Sequence, residues 1–321
     1  MARIASLNIL LETTGKDYLA ELYGRVIENV QKTLISGAIK NMDLSGDPTS
    51  GTVEAKRFAN ATSASYGTAR TAGKGDGVTA RPVTVSLNVD KEIVEELEEK
   101  DVRLYGVDGV LDRRALNHVQ VMASELDSAF FTCAANNATA INLSGASTIA
   151  DKLEALIQEL ETTSNSFVDG VPRSMMHLVL SPLYYGKVRN DLDRQTNNAN
   201  VDTAAEEFYT WHGVRVSSCV HMPSGRNAMI LAVGSIAQPV LPTQYRAEKI
   251  PLSNAYAVEL FYSYGTAAVT PDLIYMEGSF TAVAANATFD STKTYYTVSN
   301  GVYTVADIQA FAQNTTYYTM G

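Results

Sequence analysis

Four histidines, two cysteines and one glycine-flanked lysine are where this chain could begin chemistry. Gly73-Lys74-Gly75-Asp76-Gly77 has the texture of a phosphate loop, in which backbone N–H groups cradle an anion and a lysine reaches it. That loop needs GxxxxGK followed by Ser or Thr. Gly67 stands one residue too far from Gly73, and Gly75 occupies the place of the hydroxyl. Cys219-Val220-His221 is the one neighbouring pair of metal-ligating type, and on a strand both side chains would point the same way. A tetrahedral site needs more than one such pair, so a structural role is expected for Cys219 and His221, and His118, His177 and His212 add no metal motif. No HExxH, no GxSxG elbow and no base beside Cys133 is present. The expectation is a protein without a catalytic site, cofactor or metal.

Composition narrows the remaining classes. The net charge is −10, and 19% of residues are charged, against about 25% in ordinary domains. Ala, Thr, Ser, Asn and Gly fill the difference, which suits surfaces that meet other protein surfaces and equally a polar soluble domain. A free-standing nucleic-acid binder would carry a basic stripe, so direct DNA or RNA binding is disfavoured. Cys133 and Cys219 lie far apart in sequence and are expected to be free thiols. The chain opens on no basic-then-apolar leader, and no apolar run reaches the ~18 residues of a membrane span. Neither secretion nor a membrane partner is expected. A chain of 321 residues has length for about two domains.

The elements that would position everything else are helices. From Leu111 to Phe131, apolar residues recur at helical spacing with no Gly or Pro, and Asp112 stands where a cap would. Leu116, Val119, Met122, Leu126 and Phe130 are its expected core residues, and this spine could cross a whole domain. A second helix, Asp17 to Ser36, presents Leu19, Leu22, Val26, Val30 and Leu34 on one side. It is either a core helix or an arm on a neighbouring subunit. A third runs from Thr148 to Thr162 on Leu153, Leu156, Ile157 and Leu160. Strands are expected at Met176–Leu180, Val214–Val216, Ala228–Val233, Val240-Leu241, Tyr256–Tyr264 and Ala267–Tyr275, with a helix over Leu183–Leu192 and an exposed loop over Asp191–Thr203. The tail repeats Thr-Tyr-Tyr-Thr at 294–297 and 316–319 around an Asn300-Gly301 hairpin signal, which predicts a small β appendage.

Between the first two helices, 46–82 is rich in Thr, Ser, Ala and Gly, flanked by strand-forming Thr52–Phe58 and Arg81–Leu87. This reads as a long two-stranded limb, and an isolated hairpin needs a surface to lie on. From Thr49 to Arg81, five basic residues (Lys56, Arg57, Arg70, Lys74, Arg81) oppose two acidic ones, a net of +3. From Val89 to Asp101, seven acidic residues, among them Glu92, Glu95, Glu96, Glu98 and Glu99, oppose two lysines, a net of −5. The two segments, with Phe58 on the limb, are candidate contacts between subunits, because complementary charge sets register. A solvated acidic helix beside a mobile loop would have the same composition.

Several segments stand in a familiar order. The Thr/Gly-rich loop is followed by the spine with Leu126-Asp127, then Arg173-Ser174-Met175-Met176-His177-Leu178-Val179-Leu180-Ser181-Pro182-Leu183-Tyr184-Tyr185, then His212-Gly213-Val214-Arg215-Val216 and Tyr264-Gly265-Thr266-Ala267-Ala268-Val269-Thr270-Pro271. In that order the chain, over about 1–278, resembles a tailed-bacteriophage major capsid protein of the Hong Kong 97 type. The resemblance implies an α+β fold: N-terminal arm (1–46), extended β-hairpin loop (47–89), peripheral domain built on the spine (90–165 and 252–280) and axial domain (166–251). The tail (281–321) is an addition. It further implies hexamers and pentamers tiling an icosahedral shell around double-stranded DNA, made in a host bacterial cytoplasm and ending in the virion. A separate scaffolding protein, a portal and decoration proteins would be its partners. Lys56 and Lys74 are conceivable donors for the loop crosslink of some relatives, though no acceptor is evident. An encapsulin-like nanocompartment shell keeps the fold and changes the cargo. A surface adhesin or carbohydrate-binding module would instead explain the Tyr-rich tail.

Overall fold

The computed structural model describes residues 7–320 apart from 76, 103–105, 144, 195–200, 203–206, 279, 285–286, 292 and 300–301. The main helices are α1 (Thr13–Thr33), α2 (Thr68–Ala72), α3 (Gly106–Asn137), α4 (Ile149–Glu161) and α5 (Pro182–Arg194). The main strands, in order, are β1 (Thr52–Phe58), β2 (Ala80–Ser86), β3 (Val89–Leu97), β4 (Thr139–Asn142) and β5 (Met176–Leu180). They continue as β6 (Thr210–Trp211), β7 (Val214–Ser218), β8 (Ala228–Ala232), β9 (Val240–Lys249) and β10 (Tyr256–Tyr264). The last are β11 (Ile274–Gly278), β12 (Phe280–Ala282), β13 (Tyr295–Ser299), β14 (Val302–Val305) and β15 (Tyr318–Met320).

Helix α3 is the expected spine and outruns its expected bounds at both ends, because its apolar stripe runs from Val107 to Ala134. Its 32 residues give a length of about 48 Å. Asp112 lies inside the helix and does not cap it; its carboxylate takes the Arg25 guanidinium of α1 at 2.8 Å. Leu116 is 62% exposed, against expectation. The buried line passes through Leu111, Ala115, His118, Val119, Met122, Ala123 and Leu126, which turns Leu116 out to the rim of the α1–α3 groove.

That stripe serves two cores. Its first part packs with Leu19, Leu22, Val26 and Val30 of α1 onto the three-stranded antiparallel sheet β9-β10-β3, so α1 is a core helix of its own chain. Its last part, Phe130, Phe131 and Ala134, packs on Val179, Met229, Leu231 and Ile274 of the central sheet. Among the described residues the central sheet has ten strands in the order β12-β15-β13-β14-β4-β11-β8-β5-β7-β6. Strands β5 and β8 are buried at every residue, as strands covered on both faces are. Their second face is covered by α4, through Leu153, Leu156 and Leu160, and by Val188 of α5. Helix α4 starts on a reciprocal cap in which Thr148 and Asp151 each bond the other's backbone N–H.

Several boundaries differ from expectation. The strand expected over 267–275 is broken by a 3₁₀ turn at Pro271–Leu273, since proline offers no N–H to a ladder. Strand β9, allotted to 166–251, pairs with β10, while β4 and β11, allotted to the other domain, lie in the sheet of β5. Part of the loop expected over 191–203 lies outside the described residues. The tail is β, as expected, yet it does not stand apart: Val302 and Tyr303 pair with Ile141 and Ala140. The two Thr-Tyr-Tyr-Thr repeats meet on neighbouring strands, Tyr296 opposite Tyr318.

One buried charge locks α1 to the spine. Asp127 is 3% exposed and accepts the backbone N–H groups of Ile35 (3.1 Å) and Ser36 (3.0 Å), just past the end of α1. Asp127→Ala leaves the buried Ser36 donor and the half-buried Ile35 donor without an acceptor and is expected to cost about 2–4 kcal/mol. Asp127→Asn, which keeps one oxygen, is expected to cost less. Urea unfolding of the unassembled chain measures both, and equal stability of all three proteins would refute the anchor.

Candidate assembly surfaces

The limb is rooted before it reaches out. Strands β1 and β2 pair in antiparallel register from Thr52↔Ser86 to Phe58↔Ala80. Alternation sends Val53, Ala55 and Val85 inward, where they bury against Ala237 and Val269. Arg57, on the same face, makes a two-pronged bond to Asp272 (2.6 and 2.8 Å) and lies 4.4 Å from the centre of the Phe167 ring. Burial pushes the Asp272 carboxyl up, but the Arg57 guanidinium and the Asn165 amide outweigh it and hold it below the usual range. Arg57, expected on a neighbour, is therefore engaged by its own chain. Asn60 N–H closes the root on the Ser166 carbonyl at 3.0 Å.

Beyond the root the limb is open. Gly67 (φ +94°) and Gly73 (φ +70°) bracket α2 in left-handed conformations that favour glycine. Tyr66 is 96% and Val78 84% exposed, and Phe58 is exposed on the outer face. Lys56, Arg70, Lys74 and Arg81 are all exposed. Among the described residues, no hydrogen bond or ion pair joins these four cations to the acidic segment of the same chain.

The acidic segment is a strand and not a helix. Residues Val89 to Leu97 form β3 at the edge of the smaller sheet, and period two sorts its charges. On the spine side, Lys91 pairs with Glu125 at 3.0 Å, and Glu95 takes the Arg114 guanidinium, with Nε at 2.8 and 3.0 Å. Burial pushes Glu95 up, yet the Arg114 guanidinium bonded to it holds it below the ordinary carboxyl range. Glu95 is thus a bond within the chain, and its assignment to a subunit contact is corrected. Asp90, Glu92 and Glu96 face the other way and are exposed. Just beyond, Glu98 pairs with Lys100 at 2.6 Å, and Glu99 is exposed.

Two residues of this site were not expected from sequence. His118 is fully buried beneath β3, with Nδ1 3.3 Å from the Tyr245 hydroxyl. Its Nε2 lies 3.0 Å from Glu95 but off the line a hydrogen bond requires. Burial, with Arg114 adding to it, pushes His118 below the ordinary imidazole value despite Glu95. The signal was present in part: His118 falls on the apolar stripe. Gly265 has no such signal. A Cβ there would overlap the Ser86 carbonyl where the limb returns to the body.

No family model and no curated protein sequence matches the chain. Solved structures do. A Mycobacterium phage Che8 structure aligns with TM-score 0.52 at 15% identity, over 71% of this chain and 84% of that one. Gordonia phage Cozz gives 0.52 at 12%, over 70% and 80%. A virus-like particle from Pyrococcus furiosus gives 0.50 at 12%, over 81% of this chain and 99% of that one. The fold is the mixed helix-and-sheet fold of the Hong Kong 97-like capsid proteins, and the structures it resembles are mostly phage major capsid proteins.

Two outcomes follow for the site. His118 is held neutral in the fold, whereas the unfolded chain takes up a proton near pH ~6.5. Stability is then expected to fall as pH drops below about 6.5, and more steeply below about 4.5 as Glu95 adds its own loss. Thermal melts from pH 7.5 to 4 test this, with His118→Gln flattening the upper part of the curve; identical slopes would contradict it. Gly265→Ala is expected to lose about 1–3 kcal/mol by overpacking and to hasten protease cleavage in the limb. An unchanged cleavage rate would show that the root tolerates the methyl group.

Proposed function

We propose that this chain is a shell-building protein, the major capsid protein of a tailed phage. It assembles as hexamers and pentamers into an icosahedral shell around double-stranded DNA, without catalysis. The observation that carries the reading is the capsid fold combined with a rooted limb whose exposed cations, among the described residues, make no bond to the acidic segment of their own chain and whose Phe58, Tyr66 and Val78 lie exposed. Lys56, Arg70 and Lys74 would lie on the outward acids of β3 in a neighbouring copy, with Arg81 reaching it from the other face of the limb. Many modest contacts of this kind sum to a stable shell. An acidic chain also does not adhere to its cargo's phosphates. Synthesis in a bacterial host, residence in the virion, and scaffold, portal and decoration partners belong to the same proposal.

A nanocompartment shell is the second reading, because it keeps the same shell-forming fold and changes only the cargo. The adhesin reading loses its motive, because Tyr295, Tyr296, Tyr303 and Tyr317 are buried. Negative-stain microscopy and mass measurement of the purified chain test the proposal: closed shells or capsomers are expected, and monomers at high concentration would overturn it. Shells holding a protein cargo and no DNA in the native host would favour the second reading. Reversing Arg70, Lys74 and Arg81 to Glu is expected to lower particle yield about tenfold, equivalent to ~1.4 kcal/mol. The loss should be largest at low salt, where surface charges are least screened. Unchanged yield at low salt would remove the charge pairing.

A further inference from the structure

Strand β3 is held from one side and open on another. Lys91 and Glu95 fasten it to the spine helix, which fixes its register and which side chains point outward. Among the described residues its ladder runs to β10 alone, so its other edge presents a row of backbone N–H and C=O groups along nine residues. An open edge of this length is a template for any exposed strand. In a protein built to crowd with itself, the nearest such strand is the same edge of a second copy.

We infer that the outward acids Asp90, Glu92 and Glu96 stop this edge from pairing with itself and reserve it for the basic limb of another copy. The inference rests on the limb-mediated assembly proposed above. Two copies related by a two-fold axis would lay β3 antiparallel to β3 in a continuous sheet. Facing residues must then point to the same side, so the axis passes through a residue position. Centred on Glu92, that residue faces its own copy. Centred on Ile93, Asp90 faces Glu96; centred on Val94, Glu92 faces Glu96. Each of these registers sets exposed carboxylates directly opposite one another, which destabilises the pair. The limb meets the same row with Lys56 on the outer face of its first strand and Arg70 and Lys74 beyond the strands. Limb on edge joins two different surfaces, and such contacts close into rings; edge on edge would end at a dimer.

The test neutralises the row without changing its shape: Asp90→Asn, Glu92→Gln and Glu96→Gln in the full chain. Val94→Cys, at an exposed position in the middle of the strand, serves as the reporter in both backgrounds. The neutralised protein is expected to accumulate a two-copy species at the expense of larger assemblies. In the register centred on Val94, where the reporter faces its own copy, mild oxidation should form the Val94→Cys disulfide about tenfold more than in the reporter with its acids intact. The bond is identified by peptide mass, so that Cys133 and Cys219 do not confuse it. Circular dichroism matching the parent confirms the fold. If the triple variant fails to fold, Glu96→Gln alone, which relieves the registers centred on Ile93 and Val94, takes its place with the same expected outcome. Parent-like assemblies with neither the two-copy species nor the disulfide would overturn the inference. Absence of any assembly in the unaltered chain would instead overturn the limb reading beneath it.

Discussion

Helix α3 has to satisfy two sheets with one continuous apolar stripe, and most of the architecture follows from how it does so. Val107 to Leu126 covers the smaller sheet together with α1, and Phe130 to Ala134 covers one face of the central sheet. A helix of 32 residues is long enough to do both without a break. Removing either contact would expose a stripe too apolar for water. The buried Asp127 sits between the two regions, where its bonds to Ile35 and Ser36 tie the turn after α1 to the spine. A carboxylate in that place is tolerated because two backbone donors replace its water.

On this frame, the alternation of a strand separates holding from offering. In β3 the odd residues bond to the spine, and the even ones carry charge outward. In β1 the inward face of Val53, Ala55 and Arg57 roots the limb, while Lys56 and Phe58 stay exposed. The same rule of period two lets each segment be rigid within its chain and available to a neighbour. A limb anchored at its base and free beyond it loses less freedom on docking than a floppy one would, which favours association.

The tail changes the protein's outline without a second domain. Its strands continue the central sheet through β14 on β4, and aromatic side chains fill the added layer, Phe280 stacking on Tyr303 at 3.8 Å between ring centres. Tyrosine suits this place because its ring buries well while its hydroxyl still finds a partner, as Tyr295 does on the Asp290 N–H. The sheet edge thus moves from β4 to β12.

Periodicity alone determined the spine, α1, α4, the limb strands and β10, because helical and alternating patterns are properties of neighbouring residues. The order of those segments carried the resemblance to the capsid fold, and charge counting marked the limb and the acidic segment as complementary. Composition could not tell that Arg57 would be claimed by Asp272, or Glu95 by Arg114, since those partners lie 215 and 19 residues away. Nor could it assign the acidic segment to a strand, for glutamates favour a helix over a strand until β10 lies beside them. Leu116 was misplaced and His118 overlooked for one reason: a helix stripe has a width, and only the packed neighbours decide which of its margins is covered. The sequence by itself settled what repeats along the chain. Tertiary structure decided which charges remain for a partner, because an ion pair depends on distance through space and not on spacing along the backbone.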